Sequence, residues 1–242
     1  MPDISVADSD PSLSSAMIVV AHADDAEYGC SGTVAQLTRK GWDVVYVLCT
    51  DGSKGSDDRD ISEAELSAIR RREQIAAGKI LGLKAVEFLG YPDSFLMPSL
   101  ELRKDISRMI RKHRPDVLIT NSPTRELSHD SYIGHPDHQA AGEAALSAVY
   151  PTSRDHLAYP DMLEEGLEPH KVREVWVMRG GDDANHIIDL TDEDLEKSIS
   201  ALKAHASQVP ADVDDRVKEW KARNGEPHGL KYAESFRLFK LG

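Results

Sequence analysis

The sequence predicts an α/β protein with a Rossmann-like, mostly parallel sheet and helices on both faces. The first observation is that short apolar, β-branched segments alternate with longer segments of helical composition over the first 150 residues. The second is that parallel strands need such crossovers, which bury both faces of the sheet. With 242 residues, 40% of them hydrophobic, the chain can bury a substantial core, and we expect a single domain.

The first predicted elements have clear boundary signals. The first strand is Met17 to Ala21, and the helix "GTVAQLTRKG" follows it with Gly41 as a C-cap. The second strand is "DVVYVLCT", and it ends in the Gly/Ser/Asp loop "DGSKGSDD". A long helix comes next, with Ser62 and Glu65 as a capping box and Gly82 as its stop. Strand, helix, strand and helix therefore alternate from the start.

The pattern continues through the rest of the chain. Further strands are predicted at "AVEFLG", "DVLITNSP", "EVWVM" and "HIIDLT", and further helices at "SLELRKDISRMIRKHRP", "HPDHQAAGEAALSAVY", "DEDLEKSISALKAHASQ" and "DVDDRVKEWKARNG". Residues 1–14 are polar and predict a flexible leader before a domain of residues 15–242. Residues 151–173 contain several prolines and predict a lid or pocket wall.

Composition restricts the class of partner. The formal net charge is -13, from 42 acidic and 29 basic residues, so a general attraction to nucleic acid or anionic lipid is not expected. No apolar segment approaches the roughly 20 residues of a membrane helix, and the N-terminal residues lack the features of a signal peptide. Cys30 and Cys49 are too few for a disulfide framework. We expect a cytoplasmic protein that acts on a small molecule.

Polar clusters follow the first and the fourth predicted strands. His22, Asp24 and Asp25 come after the first, and His135 and His138 after the fourth. In an open parallel sheet, ligands bind at the carboxyl ends of the strands, where the strand order reverses. Each residue alone has a simpler interpretation, because acidic residues commonly stabilise the first turn of a helix. Their combination at two strand ends favours a functional site.

The residue types in these clusters indicate a metal site. Two imidazoles and one carboxylate form a ligand set of catalytic zinc that leaves one position open for water. We infer His22, Asp25 and His138 as the ligands of one Zn²⁺ per chain. Zinc lowers the pKa of bound water towards roughly 7, so such a site can supply a hydroxide nucleophile near neutral pH.

The same motifs resemble a known family. "AHADDAE" and "GHPDHQAAG" are similar to the A-H-P-D-D-E and H-P-D-H signatures of the LmbE-like (PIG-L) zinc-dependent N-acetylglucosamine deacetylases. The similarity extends to "IRRREQIAAGKILG", "FLGYPDS", "GLEPHKVREVW", "IDLT" and "YAESFR". The resemblance implies de-N-acetylation of a small N-acetylglucosamine conjugate, with release of acetate, and makes a homo-oligomer plausible. Inositol, malate, antibiotic-sugar and chitobiose conjugates, or the amide of a thiol conjugate, all stay open as substrates.

The resemblance also implies roles for individual residues. The family's zinc ligands correspond to His22, Asp25 and His138, in agreement with the ligand set inferred above. Asp24 matches the general base. His135 matches the histidine that, in its protonated form, stabilises the oxyanion and then protonates the leaving amine.

Three further residues are weaker candidates. Arg70 matches a family arginine and is implied as a substrate contact, and His186 is a second candidate contact near a predicted strand. Asp137 is a candidate partner that holds an imidazole in one tautomer. The sequence departs from the family at Ala23, where proline is usual, so the turn between ligand and base loses a backbone constraint.

Other classes of protein were compatible with parts of the pattern. His22, Asp24 and His138 also spell H-x-D…H, the ligand set of non-haem iron(II) oxygenases. The resemblance in motif implies a double-stranded β-helix, the fold on which such iron sites usually lie. The helix-rich pattern of this chain argues against that fold. A non-catalytic sugar or nucleotide binder would not need Asp24 beside a full ligand set. A dinucleotide-binding protein would need G-x-G-x-x-G, which the first strand-to-helix turn lacks.

Overall fold

A seven-stranded mixed sheet forms the centre of the molecule. In a computed structural model, residues 10–125, 127, 133–210 and 212–241 are described. The strands are β1 (Ser15–Val20), β2 (Asp43–Thr50), β3 (Ala85–Tyr91), β4 (Val117–Thr120), β5 (Glu174–Met178), β6 (His186–Asp189) and β7 (Ala233–Lys240). Their order in the sheet is β3-β2-β1-β4-β5-β7-β6. Neighbours from β3 to β5 pair in parallel, and β7 is antiparallel to both β5 and β6.

The helices connect the strands as the sequence predicts. They are α1 (Asp25–Gly29), α2 (Ser31–Arg39), α3 (Glu63–Leu81), α4 (Leu100–His113), α5 (Pro136–Ser147), α6 (Pro160–Glu164), α7 (Asp192–Leu202) and α8 (Val213–Gly225). The predicted capping box of α3 is confirmed, because Ser62 accepts from the backbone N–H of Glu65 and the Glu65 side chain accepts from Ser62. Gly82 ends α3 with a φ of 82°, in the left-handed region.

Both faces of the sheet are buried, which confirms the predicted fold class. Along β1, Ile18 and Val20 belong to a core packed with residues of α2 and α3, and the alternate residues Met17 and Val19 belong to a core packed with α4 and α5. All four side chains are fully buried. This α/β architecture is not the double-stranded β-helix that the oxygenase interpretation requires.

The strand order reverses between β1 and β4, and this point defines where a ligand can bind. β1 continues to β2 and β3 on one side, whereas β4 pairs with the other side of β1. The connections that leave the carboxyl ends of these two strands diverge and open a crevice. Both polar clusters predicted from the sequence begin at this crevice.

The end of the predicted leader, and all of the predicted lid or pocket wall, fall within the described residues. Residues 1–9 lie outside the described part, but Leu13 is buried and Ser14 donates its N–H to Asp116 at 2.9 Å, so the packed chain begins before residue 15. Residues 151–173 wrap around the end of α4, where the buried Arg111 donates to the carbonyls of Ser153 and Asp155 at 3.2 and 2.7 Å.

No helix in the described ranges is both long enough and apolar enough to cross a membrane.

Gly142 permits the close approach of α5 to the end of β4. A Cβ at this position would lie 2.4 Å from the carbonyl oxygen of Asn121 and 3.0 Å from the nitrogen of Pro123. We therefore expect Gly142→Ala to displace α5 and to lower the free energy of unfolding by about 1 to 3 kcal/mol. Gly180→Ala is the matched control, because no atom lies within 4 Å of its added Cβ. Thermal unfolding should show a lower Tm for the first variant alone, and equal losses in both would contradict the packing argument.

Candidate active site

The end of β1 is held by hydrogen bonds to both neighbouring strands. The carbonyl of Ala21 accepts from the backbone N–H and the hydroxyl of Thr50, each at 2.9 Å. On the other side, the N–H of Ala21 donates to the side-chain oxygen of Asn121 at 3.2 Å. His22 follows directly, so its position is fixed by the sheet itself.

A strained turn carries the chain from His22 into α1. Asp24, the residue before α1, has a φ of 88°, which an L residue adopts at a cost of about 1 to 3 kcal/mol. The turn is stabilised by Arg70, which donates to the carbonyl of Ala23 at 2.9 Å, and by the N–H of Tyr28, which donates to the carbonyl of Asp24 at 3.0 Å. It directs Asp25 back to His22, whose backbone N–H donates to Asp25 Oδ2 at 3.0 Å.

The start of α5 contributes the second cluster. His135 is the N-cap residue, and its Nδ1 accepts from the backbone N–H of Asp137 at 3.1 Å. One turn further on, His138 Nε2 lies 2.9 Å from Asp25 Oδ1. The three ring centroids of His22, His135 and His138 are 4.7 to 5.5 Å apart. The fold therefore joins the ends of β1 and β4 in one site.

His22, Asp25 and His138 form a group that can hold a metal ion. One ligand atom from each of them lies within 4.8 Å of the others. His22 Nε2 is 3.2 Å from Asp137 Oδ2 and 3.1 Å from Asp93 Oδ1, so this nitrogen carries the proton that the carboxylates accept. The other nitrogen, Nδ1, lies 3.7 Å from Asp25 Oδ2 and is the one that would bind a metal ion in place of its proton.

A second possible group consists of His22, His135 and Asp137. Asp137 is fully buried, and its two oxygens already accept from the backbone N–H groups of Ser94 and Leu96 at 2.7 and 3.3 Å. These bonds and the contact with His22 satisfy the carboxylate. Asp137 is therefore better placed to orient the imidazole of His22 than to bind a metal.

The charges of the ligand group reinforce one another. Burial alone would lower the pKa of His22, but its hydrogen bonds to Asp137, Asp25 and Asp93 raise the pKa to about 12. Burial likewise opposes ionisation of Asp25, but the nearby His138 and His22 hold the pKa of its carboxyl well below its usual range. In the metal-free protein the carboxylates and the imidazoles of this group therefore stabilise each other's charged forms.

Asp24 and His135 titrate differently from the ligand group. Burial, together with the charge of Asp25, raises the pKa of Asp24 to about 7, although Arg70 opposes the shift. A carboxyl with a pKa near neutrality can both accept and return a proton at pH 7. Burial and then the charge of His22 lower the pKa of His135, which Asp137 partly counters. This environment favours the neutral ring over the protonated ring expected from the sequence.

These residues surround an open pocket with a volume of about 500 Å³. The lining residues are His22, Asp24, Asp25, Lys54, Gly55, Arg70, Asp93, Ser94, Ile133, Gly134, His135, Pro136 and His138. They come from the segments that follow β1, β2 and β3, from α3, and from the start of α5. The segment predicted as a lid or pocket wall, residues 151–173, contributes none of these residues and accepts hydrogen bonds from Arg111 of α4.

Arg70 lies at the pocket wall, but its guanidinium already donates hydrogen bonds to backbone carbonyls of the protein. The side chain is buried, and it donates to the carbonyls of Ala23 and Lys54 at 2.9 and 3.2 Å. Its terminal nitrogens lie 3.9 Å from Asp24 Oδ2 and 3.6 Å from Asp93 Oδ2. Arg70 therefore holds two loops together and faces two pocket carboxylates.

His186 does not reach the pocket. It begins β6, is 3% exposed and packs its ring against Trp176 at a centroid distance of 4.5 Å. β6 is at one edge of the sheet and lies three strands from β4, or about 14 Å at the usual spacing of about 4.8 Å. The candidate substrate contact predicted at His186 is therefore a core residue in the structure.

Sequence reasoning did not single out Asp93 and Ser94, although both line the pocket. Asp93 follows β3, the next strand but one from β1, within the segment "FLGYPDS". An acidic residue after a third parallel strand was a signal of the same kind as those after the first and fourth. The position of Asp93 after a strand is therefore the signal by which the sequence could have identified it.

Fold and site together define the class of protein. It is an α/β protein with a histidine and carboxylate group, suited to a divalent metal, at the carboxyl edge of a parallel sheet. Residues 17–149, more than half of the chain, match the model of the PIG-L family, described as GlcNAc-PI de-N-acetylase. The chain belongs to this family of N-deacetylases, which confirms the resemblance seen in the sequence.

Individual relatives cover most of the chain. A diacetylchitobiose deacetylase of Thermococcus kodakarensis is 34% identical over 90% of this chain and 80% of its own length. A probable N-acetyl-α-D-glucosaminyl L-malate deacetylase 2 of Bacillus anthracis is 30% identical over 84% of this chain and 85% of its own. The structure of N,N'-diacetylchitobiose deacetylase from Pyrococcus horikoshii, in complex with an inhibitor, superimposes with a TM-score of 0.84 and 32% identity, over 95% of this chain and 85% of that one.

Proposed function

We propose that the protein is a zinc-dependent hydrolase that removes the acetyl group from a small N-acetylglucosamine conjugate. The observation that carries the proposal is the convergence of His22, Asp25 and His138 in one pocket, with Asp24 beside them. The names of the relatives support the substrate class, since they act on diacetylchitobiose and on malate or inositol conjugates of N-acetylglucosamine. The products are acetate and the free amine.

Zn²⁺ fits the donor set of this chain. Two imidazole nitrogens and a carboxylate oxygen match its preferred ligands, and three protein ligands leave a position for substrate or water. His22 Nδ1, Asp25 and His138 Nε2 would hold one ion per chain, with Asp137 and Asp93 fixing the tautomer of His22. A bound zinc ion would lower the pKa of water and polarise the acetyl carbonyl.

Asp24 would act as the general base. Its carboxylate lies in the pocket next to the ligand Asp25, and the raised pKa of about 7 allows it to take a proton from the attacking water. The water oxygen forms a bond to the acetyl carbon. When the carbon–nitrogen bond breaks, the protonated Asp24 can return the proton to the leaving amine. Water is thereby divided between acetate and amine without any net proton change at Asp24.

His135 would stabilise the charge that develops on the carbonyl oxygen. Its Nδ1 accepts from the backbone N–H of Asp137 at 3.1 Å, so in the neutral ring the proton is on Nε2. A neutral Nε2–H is a hydrogen-bond donor to an oxyanion and needs no prior protonation. This role agrees with the lowered pKa of His135. It assigns amine protonation to Asp24, unlike the expectation from the sequence.

Acetate release across a panel of substrates tests the proposal. The panel contains diacetylchitobiose, malate and inositol conjugates of N-acetylglucosamine, and an N-acetylated thiol conjugate that lacks the sugar. We expect the zinc-loaded protein to release acetate from at least one sugar conjugate and not from the sugar-free amide. Release from the sugar-free amide alone would overturn the substrate class, and no release from any compound would overturn the proposed activity.

A further inference from the structure

We propose that Gln74 is a positioning residue for Asp24, and that Glu27, which packs against the buried side chain of His205, holds Gln74 in the required orientation. The inference rests on the proposed function for the role of Asp24 as the base. None of these three supporting side chains lines the pocket. They would therefore act through Asp24 and not on the substrate.

The four residues form a continuous polar chain behind the pocket. The backbone N–H of Asp24 donates to Gln74 Oε1 at 3.4 Å, and Gln74 Nε2 donates to Glu27 Oε1 at 2.9 Å. The second oxygen of Glu27, Oε2, lies 3.4 Å from His205 Nε2. Gln74, Glu27 and His205 are each 0% exposed. The bond from Gln74 satisfies Glu27 Oε1, whereas Glu27 Oε2 and His205 Nε2 approach each other without the geometry of a hydrogen bond.

The carboxylate of Glu27 determines which way the Gln74 amide points. An amide offers one acceptor and one donor group, and either end could face Asp24. In the structure the NH₂ group of Gln74 faces Glu27, whose Oε1 accepts its hydrogen bond at 2.9 Å. The amide oxygen is then directed at the N–H of Asp24. Glu27, which does not line the pocket, thus determines that Gln74 presents its oxygen to the N–H of Asp24.

The contact matters because Asp24 occupies an unfavourable backbone conformation. Its φ of 88° lies in the left-handed region, and the surrounding contacts must keep it there. Arg70 holds the carbonyl of Ala23 on one side of the peptide bond, and Gln74 holds the N–H of Asp24 on the other. Ala23, unlike a proline, has no ring that fixes its own φ. The two side chains of α3 supply the restraint.

Three separate elements support this chain of contacts. Glu27 is in α1, Gln74 is in α3, and His205 follows α7. The segment that carries His205 is tied to α3, because Ser207 donates its N–H and its hydroxyl to Glu73 at 2.8 and 2.6 Å. The position of Asp24 relative to its ligand neighbour Asp25 therefore depends on the packing of α1, α3 and α7.

Gln74→Met tests the proposal, because methionine has a similar shape and lacks both polar groups. We expect kcat to fall by about ten- to a hundredfold, while KM changes less than about twofold and zinc content is unchanged. The matched control is Gln36→Met, which removes another buried amide, one that donates to the carbonyl of Asp189 away from the pocket. We expect the control to lose a similar amount of thermal stability and to keep kcat within about twofold.

Hydrogen exchange at the Asp24 amide gives a readout that does not depend on activity. We expect this amide to exchange at least about tenfold faster in Gln74→Met than in the wild type or in the Gln36→Met control. Unchanged exchange or an unchanged kcat in Gln74→Met would overturn the proposal. If the wild type releases no acetate, the proposed function fails, whereas the exchange measurement still decides whether Gln74 positions Asp24.

An exchange of the two side chains provides a second variant. Gln74→Glu alone places two buried carboxylates against each other, and we expect lower kcat and lower stability. Combining Gln74→Glu with Glu27→Gln restores one donor and one acceptor between the two positions and leaves an oxygen for the N–H of Asp24. We expect the double variant to recover at least about tenfold in kcat over Gln74→Glu. A double variant as slow as the single one would overturn the proposal.

Discussion

Asp24→Asn is expected to lower kcat by about 10² to 10⁴-fold while the protein keeps its zinc. The amide cannot accept the proton that the proposed mechanism assigns to the Asp24 carboxylate, so proton transfer is lost. The fold of the turn should survive, because asparagine tolerates the left-handed φ of 88° better than most residues. Steady-state rates and the zinc content of the same samples provide the measurement. An unaltered kcat would remove Asp24 from the mechanism.

His138→Ala is expected to lose the metal itself. His138 Nε2 lies 2.9 Å from Asp25 Oδ1, and alanine removes both one of the three proposed ligands and the partner of a buried carboxylate. We expect zinc affinity to fall by more than about a hundredfold, beyond the 10- to 100-fold typical when an outer partner of a ligand is lost. Zinc content after dialysis, measured by atomic emission, should fall to a small fraction of one per chain, and turnover should fall with it.

A histidine outside the pocket is the control for this variant. His113 lies at the end of α4 and contacts Glu87 at 2.9 Å, so His113→Ala removes an imidazole without touching the site. It should retain the zinc content of the wild type. Equal zinc content in Asp24→Asn and His138→Ala would contradict the division between base and ligand.

The fold was predictable because its signals are local. Capping at Ser62 and Gly82, the β-branched strands and the helical crossovers can all be read within short windows of the sequence. The positions of His22 and His138 followed from the same reasoning, since residues that come after two parallel strands must meet at one edge of the sheet. The sequence therefore predicts that His22 and His138 lie together, and the structure places both in one group with Asp25.

Other features depend on the arrangement of distant elements. The insertion of β7 between β5 and β6 moves His186 away from the pocket, and no local pattern encodes this strand order. Composition predicts a lid or pocket wall at residues 151–173, and it does not reveal that the buried Arg111 of α4 donates to the carbonyls of this segment. The contact between Gln74 and Asp24 joins residues 50 positions apart. Such contacts become visible only when the helices have been packed.

The most direct test of the central claim is paired quantification of acetate and free amine from the N-acetylglucosamine conjugate that the panel identifies. The zinc-loaded wild type should release both in equal amounts, lose the activity on chelation and regain it when Zn²⁺ is added back. Substrate consumption without acetate, or an undiminished rate after the metal has been removed, would contradict a zinc-dependent deacetylase.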